Sequence, residues 1–266
     1  MVNTISFPQL GIGPLKISET ISVFGLDIHW YGIIIATGIV LAFVFCMKIC
    51  EEHGLTRDNI TDILLYGLPS AIICARIYYV IFEWGEYRDN LQDIFKIWKG
   101  GIAIYGAVIG ACVSTFLYCK IKKINVMKAF DVGAFGLLIG QICGRWGNFI
   151  NAEAFGSATN LPWGMQIAEI SKNMLFHPTF LYESLWNLGV FIILVLRRKK
   201  RTFDGEIFLG YVTLYGLGRF WIEGLRTDSL YLGPVRISQL VALLCVVAGT
   251  VLLILFKRKS KKSAVE

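Results

Sequence analysis

The sequence predicts an all-α integral membrane protein of about seven transmembrane helices, with an outside N-terminus, a cytoplasmic C-terminus and a small extracytoplasmic cap. Of its 266 residues, 55% are hydrophobic and only 17% are charged, whereas soluble domains carry about 25% charged residues. The apolar residues form blocks of about 20, the length that spans a bilayer. Basic residues cluster between these blocks. We therefore expect one polytopic membrane domain over residues 1–266.

Seven apolar blocks give the order of the predicted helices. Each block is long enough for a membrane span, and short polar segments separate most of them. The predicted helices cover 29–50, 62–82, 101–119, 127–147, 179–196, 206–224 and 237–256.

The basic residues predict the orientation. Sixteen of the 26 lysines and arginines follow the first, third, fifth and seventh helices, at Lys48, Arg57, 120–128, 197–201 and 257–262. Short loops rich in Lys and Arg face the cytoplasm. The basic loops beside the membrane account for the net charge of +7, and no nucleic-acid partner is expected.

A polar segment separates the fourth and fifth helices. Residues 148–178 include the turn-forming run LPWG and many polar side chains. This length and composition predict an extracytoplasmic cap. The sequence lacks an internal repeat, which weighs against the inverted-repeat plan of many transporters.

The stretch GRWGNFINAEAFG, residues 144–156, ends the fourth helix with a polar group. An arginine within a span is costly and usually marks a functional site. The alternative interpretation is that the Arg145 side chain extends only to reach the lipid headgroups. That alternative gives no role to Asn148, Asn151 and Glu153, which follow it. The cluster favours a functional site.

The sixth helix repeats this feature in YGLGRFWIEGLRTD, residues 215–228. Arg219 and Glu223 are four residues apart and share a helix face. An internal ion pair that permits burial of both charges is one interpretation. The other is a phosphate site formed by Arg145 and Arg219, because guanidinium groups bind phosphate with paired hydrogen bonds.

Histidines and tyrosines lie near the predicted outer helix ends. His29 and His177 precede the first and fifth helices, and Tyr31, Tyr105 and Tyr215 lie near the ends of theirs. Each tyrosine alone is more typical of an interface anchor than of a catalytic group.

The sequence offers no metal site or enzyme nucleophile. Its seven cysteines lie in or beside apolar blocks without a CxxC pair, and we interpret them as packing residues. HExxH, GxSxG and P-loop motifs are also missing from the sequence. If the protein is an enzyme, its substrate supplies the nucleophile.

These motifs together resemble the bacterial prolipoprotein diacylglyceryl transferases. The family signature is Gly-Arg-x-Gly-Asn-Phe-x-Asn-x-Glu-x-x-Gly, and HWYG at 29–32 and HPTFLYES at 177–184 extend the similarity to nearly the whole chain. The signature positions are matched by Gly144, Arg145, Gly147, Asn148, Phe149, Asn151, Glu153 and Gly156. The family's YGxxRxxxE pattern resembles Tyr215, Gly216, Arg219 and Glu223, with Arg226 and Asp228 after it.

The resemblance implies an enzyme of the bacterial cell membrane, with its active site near the extracytoplasmic face. It implies transfer of the diacylglyceryl group of phosphatidylglycerol to the lipobox cysteine of a preprolipoprotein, within the lipid bilayer and without a cofactor. The implied catalytic residues are Arg145, Arg219, Tyr105 and His29. The implied substrate-binding residues are Arg145, Asn148, Asn151, Glu153, Gly156, Tyr31, Tyr215 and Glu223, with Glu153 and Glu223 holding the arginines.

The opening of the third helix departs from the family pattern. Many members carry histidine in a Gly-Gly-x-x-x-His-Gly stretch, where it has been proposed as the catalytic base, and this chain reads GGIAIYG with Tyr105 at that position. Tyrosine is a weak base at pH 7 because its pKa is near 10. Tyr105 positions substrate, or His29 or His177 takes the proton, or the thiol ionises beside the arginines.

Two other functions fit parts of the pattern. A transporter for an anionic solute would use Arg145 and Arg219 to line its pathway, but should show repeats or helices broken near the membrane midplane. A headgroup phosphodiesterase would need its own nucleophile or metal ligands.

Overall fold

The structure is a computed structural model that describes residues 2–227 and 231–263, so Asp228 lies outside it. The chain forms two compact units, Met1–Phe45 with Gly133–Glu266 (unit 1) and Cys46–Val132 (unit 2). The boundaries fall inside two long helices. Each unit is described separately below.

The described chain is mostly helical. Its helices are α1 (Trp30–Ile49), α2 (Arg57–Phe82), α3 (Trp84–Tyr87), α4 (Ile104–Lys122), α5 (Val126–Ile150), α6 (Thr179–Arg197), α7 (Glu206–Glu223) and α8 (Ile237–Ser263). Short 3₁₀ turns cover Pro8–Leu10, Cys50–His53, Leu91–Phe95, Ile97–Lys99 and Arg198–Lys200.

A long helix occupies each of the seven predicted places, and six of these helices are long and apolar enough to cross a membrane. The exception among them, α7, has 18 residues and includes Glu206, Arg219 and Glu223. Helix α2 begins five residues before its prediction because Thr56 and Asn59 form a capping box that starts a polar first turn. Helix α4 begins three residues later because Gly100 and Gly101 have positive φ angles.

The all-α prediction omits seven short strands. They are β1 (Val2–Phe7), β2 (Ile12–Ser18), β3 (Thr20–Val23), β4 (Leu26–His29), β5 (Gln166–Ile167), β6 (Tyr231–Leu232) and β7 (Val235–Arg236). β1 lies between β2 and β5 in an antiparallel sheet, and β3–β4 and β6–β7 are hairpins. The prediction missed these strands because it rested on apolar blocks of about 20 residues, whereas the strands have only two to seven residues each.

The segment after α5 packs onto this first sheet. Ile5, Met165, Ile167 and Phe180 form a buried cluster against which Phe149 also packs. Asn3 also donates a 2.9 Å hydrogen bond from Nδ2 to the carbonyl of Ile150, the last residue of α5. The N-terminal strands and the polar segment following α5 therefore share one small core.

In unit 1, α1 and α5 approach closely through small residues. A Cβ atom added to Gly38 would lie 3.2 Å from Cys143 Cβ and 3.7 Å from Gly140 Cα. Gly144 similarly faces Ile35. Small residues allow such approach between apolar helices.

In unit 2, Arg76 of α2 orders the irregular segment that leads into α4. Its buried guanidinium donates to the carbonyl oxygens of Asp93, Ile94, Gly100 and Gly101 at 2.5–2.8 Å. Non-helical backbone in an apolar environment needs its polar groups satisfied from within the protein. Arg76 supplies these hydrogen bonds and fixes the turn before α4.

Helices α2 and α4 of unit 2 pack without space for a side chain at Gly110. A Cβ atom there would lie 2.5 Å from Ser70 O and 2.7 Å from Cys74 Cβ. By contrast, a Cβ atom on Gly67, also in α2, has nothing within 4 Å. The close approach of these helices therefore requires glycine at position 110.

We predict that Gly110→Ala destabilises the protein, because overpacking costs about 1–3 kcal/mol and outweighs the gain in helix propensity of about 1 kcal/mol. The matched change Gly67→Ala should leave stability unchanged or slightly raised. Thermal unfolding midpoints in one detergent measure both. An unchanged midpoint for Gly110→Ala would contradict this packing.

Candidate active site

The end of α5 places Arg145 beside a chain reversal. Arg145 Nη1 donates to Asn148 Oδ1 at 3.2 Å, and Asn148 Nδ2 donates to Glu153 Oε1 at 2.8 Å. The backbone turns back after the helix, with Ala152 and Ala154 at positive φ and the Glu153 N–H donating to Asn148 O at 3.0 Å. Glu153 is thereby connected to Arg145 through the Asn148 amide.

Glu183 of α6 joins the two predicted arginines. Its Oε2 lies 2.5 Å from Arg145 Nη2, and its Oε1 lies 2.7 Å from Arg219 Nη1. The side chain of Glu183 is only 4% exposed. The Glu183 carboxylate therefore pairs with both Arg145 of α5 and Arg219 of α7.

Glu223 and Arg226 complete the cluster. Arg219 Nη2 lies 2.6 Å from Glu223 Oε2, so the predicted pair four residues apart is present. Arg226 Nη1 lies 3.5 Å from Glu183 Oε1, and its Nε lies 3.9 Å from Glu223 Oε2. The ion-pair interpretation of Arg219 and Glu223 therefore describes only part of a larger arrangement.

We call Arg145, Arg219, Arg226, Glu183 and Glu223 the arginine cluster. The two carboxylates are nearly buried, and the three arginine side chains keep 11–20% exposure. Two negative charges against three positive charges leave one positive charge among these five side chains. Buried charges in such a site interact strongly because solvent screens them poorly. The arrangement suits an anionic ligand that reaches the partly exposed guanidinium groups.

Helix packing fixes the geometry of the arginine cluster. Ser184 Oγ donates to Ile142 O at 3.2 Å and ties α6 to α5, and the rings of Phe149 and Phe180 lie 4.7 Å apart. Trp186 Nε1 donates to Leu214 O at 2.9 Å and ties α6 to α7. These contacts hold Glu183 between the two arginine-bearing helices.

Two further predicted binding residues, Gly156 and Asn151, make backbone contacts near the end of α5. Gly156 pairs with Arg226 in an isolated β-bridge, and a Cβ atom on Gly156 would lie 2.7 Å from His177 Cβ. Asn151 follows the last turn of α5 and donates its N–H to Gly147 O at 3.0 Å. Gly156 therefore permits the close backbone contact that places Arg226.

Two predicted tyrosines lie on elements next to the arginine cluster. The Tyr31 ring packs on Gly147, where a Cβ atom would lie 2.6 Å from the ring. Its phenol is also within electrostatic range of Arg145 and Glu153. Tyr215 lies one turn before Arg219 on α7 and stacks on Tyr211 at 5.6 Å.

The two candidate proton acceptors, His29 and His177, and the substrate-positioning candidate Tyr105 occupy different surroundings. His29 ends β4 and is exposed, while Tyr105 belongs to unit 2, where it is 41% exposed. His177 is partly buried, with Nδ1 3.3 Å from the Tyr182 hydroxyl. Burial lowers the pKa of His177 below its usual value, which favours its neutral imidazole form.

Glu183 is a site residue that the sequence motifs did not predict. The residue was visible as an acid in the apolar fifth helix, within HPTFLYES, and acids inside spans usually mark function. Its three partners lie 38 residues before it and 36 and 43 residues after it. Helical spacing relates only near neighbours, so it could not connect them.

Comparisons with known proteins identify the family of this chain. The family model for prolipoprotein diacylglyceryl transferase matches residues 18–255. A Clostridioides difficile protein named phosphatidylglycerol–prolipoprotein diacylglyceryl transferase is 44% identical over 92% of this chain and 97% of its own length. Proteins with the same name are 46% identical in Finegoldia magna, covering 91% of this chain and 96% of theirs, and 45% identical in Pediococcus pentosaceus, covering 90% and 89%. The chain belongs to the prolipoprotein diacylglyceryl transferase family.

Proposed function

We propose that this protein transfers the diacylglyceryl group of phosphatidylglycerol to the lipobox cysteine of preprolipoproteins, the first step of bacterial lipoprotein maturation. The observation that carries the proposal is the arginine cluster, in which three guanidinium groups share two buried carboxylates. The names of the relatives supply the substrates. Transporters of anionic solutes also use buried arginines, but the family assignment does not favour that alternative.

The reaction exchanges one bond for another. The thiol sulfur attacks the glycerol carbon that bears the phosphate ester, a C–S bond forms, and the C–O bond to phosphate breaks. The thiol proton is lost and glycerol phosphate leaves. Because the substrate supplies the nucleophile, the enzyme needs to bind phosphate, orient the carbon and accept one proton.

The arginine cluster fits the leaving group. Negative charge grows on the phosphate ester oxygen as the C–O bond breaks, and fixed donors stabilise such charge most strongly where water is scarce. Arg145 and Arg219 present partly exposed guanidinium groups. They bind the phosphate and stabilise the charge that develops during transfer.

Neighbouring side chains orient the lipid. Asn148 bonds both Arg145 and Glu153, so it sets the direction of the guanidinium. Asn151, Tyr31 and Tyr215 provide polar groups for headgroup and glycerol oxygens. Positioning the carbon against a tethered thiol supplies a large part of the rate.

His177 is the first candidate for the group that accepts the thiol proton. Burial lowers its pKa, which favours the neutral form, and it lies against Gly156 next to the strand bridge that holds Arg226. His29 and the field of the arginines on the thiol itself are the alternatives. Tyr105 serves as a hydrogen-bonding group for the substrate.

The protein works in the bacterial cell membrane with seven spans. Helix α7, sixth of the seven long helices in chain order, also spans the membrane despite its three charges, because Glu223 and Arg219 neutralise each other. The basic segments at 120–128, 197–201 and 257–262 face the cytoplasm. The arginine cluster and the cap formed by 148–178 then lie near the extracytoplasmic face.

The direct test combines purified protein, a lipobox peptide and phosphatidylglycerol that is labelled either in the glycerol that carries the acyl chains or in the phosphate. We expect the glycerol label on the peptide, and the phosphate label in free glycerol phosphate. A peptide with serine in place of its cysteine should remain unlabelled. An unlabelled cysteine peptide, under conditions in which a known transferase labels it, would refute the proposal.

We predict that Arg145→Ala lowers transfer by about 100-fold or more, the scale expected for loss of a charge-stabilising donor. The protein should stay in the membrane because its apolar spans are unchanged. Arg197→Ala is the matched control, because Arg197 pairs with Glu206 at 3.0 Å, away from the arginine cluster. Wild-type transfer by Arg145→Ala would reject the phosphate role.

We predict that Glu183→Gln lowers kcat while leaving the KM for phosphatidylglycerol unchanged or reduced. The loss of one negative charge raises the positive charge of the cluster but removes the anchor that positions Arg145 and Arg219. Misplacement by about 1 Å can cost about 100-fold in rate. Steady-state kinetics separates the two effects, and partial recovery in Glu183→Asp would support positioning. A raised KM with unchanged kcat would contradict it.

We predict that Tyr105→Phe lowers transfer because it removes the phenol hydroxyl while keeping the ring. The ring contact with Tyr78, at 6.3 Å, should survive, so thermal stability serves as the control. Initial transfer rates measure the effect. Full activity in Tyr105→Phe would exclude an essential role for the hydroxyl.

A further inference from the structure

The β3–β4 hairpin has one apolar and one polar face. Ile21 is paired with Ile28 and Val23 with Leu26, and directly paired residues of an antiparallel hairpin project to the same side. The opposite side carries the pairs Thr20–His29 and Ser22–Asp27, and Ser22 Oγ donates a hydrogen bond to Asp27. We call the side formed by Ile21, Val23, Leu26 and Ile28 the apolar hairpin face.

All four side chains of the apolar hairpin face, which belongs to unit 1, are exposed. They are 36–70% exposed, and Phe24 at the tip is fully exposed. Two-stranded hairpins are marginally stable in water. An apolar face of this kind therefore needs a cover.

The tip is also an unusual place for an aromatic residue. Phe24 and Gly25 form the two-residue turn, both with positive φ, a conformation that normally selects Asn-Gly. A bulky residue at positive φ carries a conformational cost. Phe24 thus places a large apolar ring at the farthest point of the hairpin.

Chain continuity identifies the cover. β4 ends at His29 and α1 begins at Trp30, so no linker separates the hairpin from the helix. α1 has 20 residues, which is about 30 Å at 1.5 Å per residue and matches the hydrocarbon core of a bilayer. Trp30 then lies at the boundary of that core, where tryptophan is favoured, and the hairpin begins at the membrane surface.

We propose that the β3–β4 hairpin is a lipid-binding element that inserts its apolar face and Phe24 into the headgroup–acyl boundary of the bilayer. Amphipathic elements bind this zone by burying apolar surface about 5–10 Å deep. The polar face, with Asp27 and His29, remains toward water. The proposal does not depend on which residues perform the transfer.

The hairpin also bears on the arginine cluster. Tyr31, two residues after β4, packs on Gly147 of α5, which lies two residues after Arg145. A hairpin held at the lipid surface therefore keeps Tyr31 at headgroup depth, against the part of α5 that carries Arg145.

Photo-crosslinking in the full-length protein tests the proposal. p-Benzoylphenylalanine replaces Phe24 or Leu26, and it replaces Ser22 as the polar-face control. Each variant is placed in phosphatidylcholine vesicles with or without phosphatidylglycerol, and a lipobox peptide is present in every sample. We expect several-fold more lipid adduct at positions 24 and 26 than at 22, in both lipid mixtures. Equal adducts at 22 and 24, or mainly peptide adducts at 24, would overturn the proposal; the latter would indicate a substrate-docking surface.

A second measurement uses the unaltered chain. Amide hydrogen exchange over residues 20–29 should be several-fold slower in lipid nanodiscs than in a lipid-free amphipathic polymer. The exposed turn before Gly11, on the β1–β2 hairpin of unit 1, serves as the control and should show no such difference. Equal exchange of residues 20–29 in the two environments would contradict lipid insertion.

Discussion

The candidate site depends on one carboxylate that three arginines share. An arginine in an apolar helix is tolerated where an acid compensates its charge, and Glu183 does this for α5, for α7 and for the turn after α7. Glu223 pairs again with Arg219 and Arg226. Because two acids serve three arginines, the cluster is both held in place and left positively charged. A phosphate ester is the kind of ligand that such a charge attracts.

The surrounding structure serves to keep this carboxylate in place. Ser184 and Trp186, one and three residues after Glu183 on α6, donate hydrogen bonds to backbone carbonyls of α5 and α7. Gly156 brings the polar segment after α5 against Arg226. In the proposed reaction the substrate supplies the thiol, so the protein has to bind the phosphate, orient the glycerol carbon and accept one proton.

The sequence predicted the features that follow from local cost and local spacing. Arg145 and Arg219 were identifiable because charges within apolar helices are expensive, and the helices were identifiable from apolar length. The ion pairs of Glu183 could not be predicted in this way, because its partners are 36 to 43 residues away. Only the packing of α5, α6 and α7 brings them together. The strands were missed for another reason: β3 and β4 have only four residues each, so each offers too few positions for a clear period-two pattern.

The central claim is that the arginine cluster binds the phosphate of phosphatidylglycerol. Native mass spectrometry of protein in mixed micelles, with equal phosphatidylglycerol and phosphatidylcholine, measures it most directly. We expect the wild-type protein and Arg197→Gln to retain phosphatidylglycerol preferentially, and Arg145→Gln and Arg219→Gln to lose that preference. Equal preference for phosphatidylglycerol in all four proteins would contradict the claim.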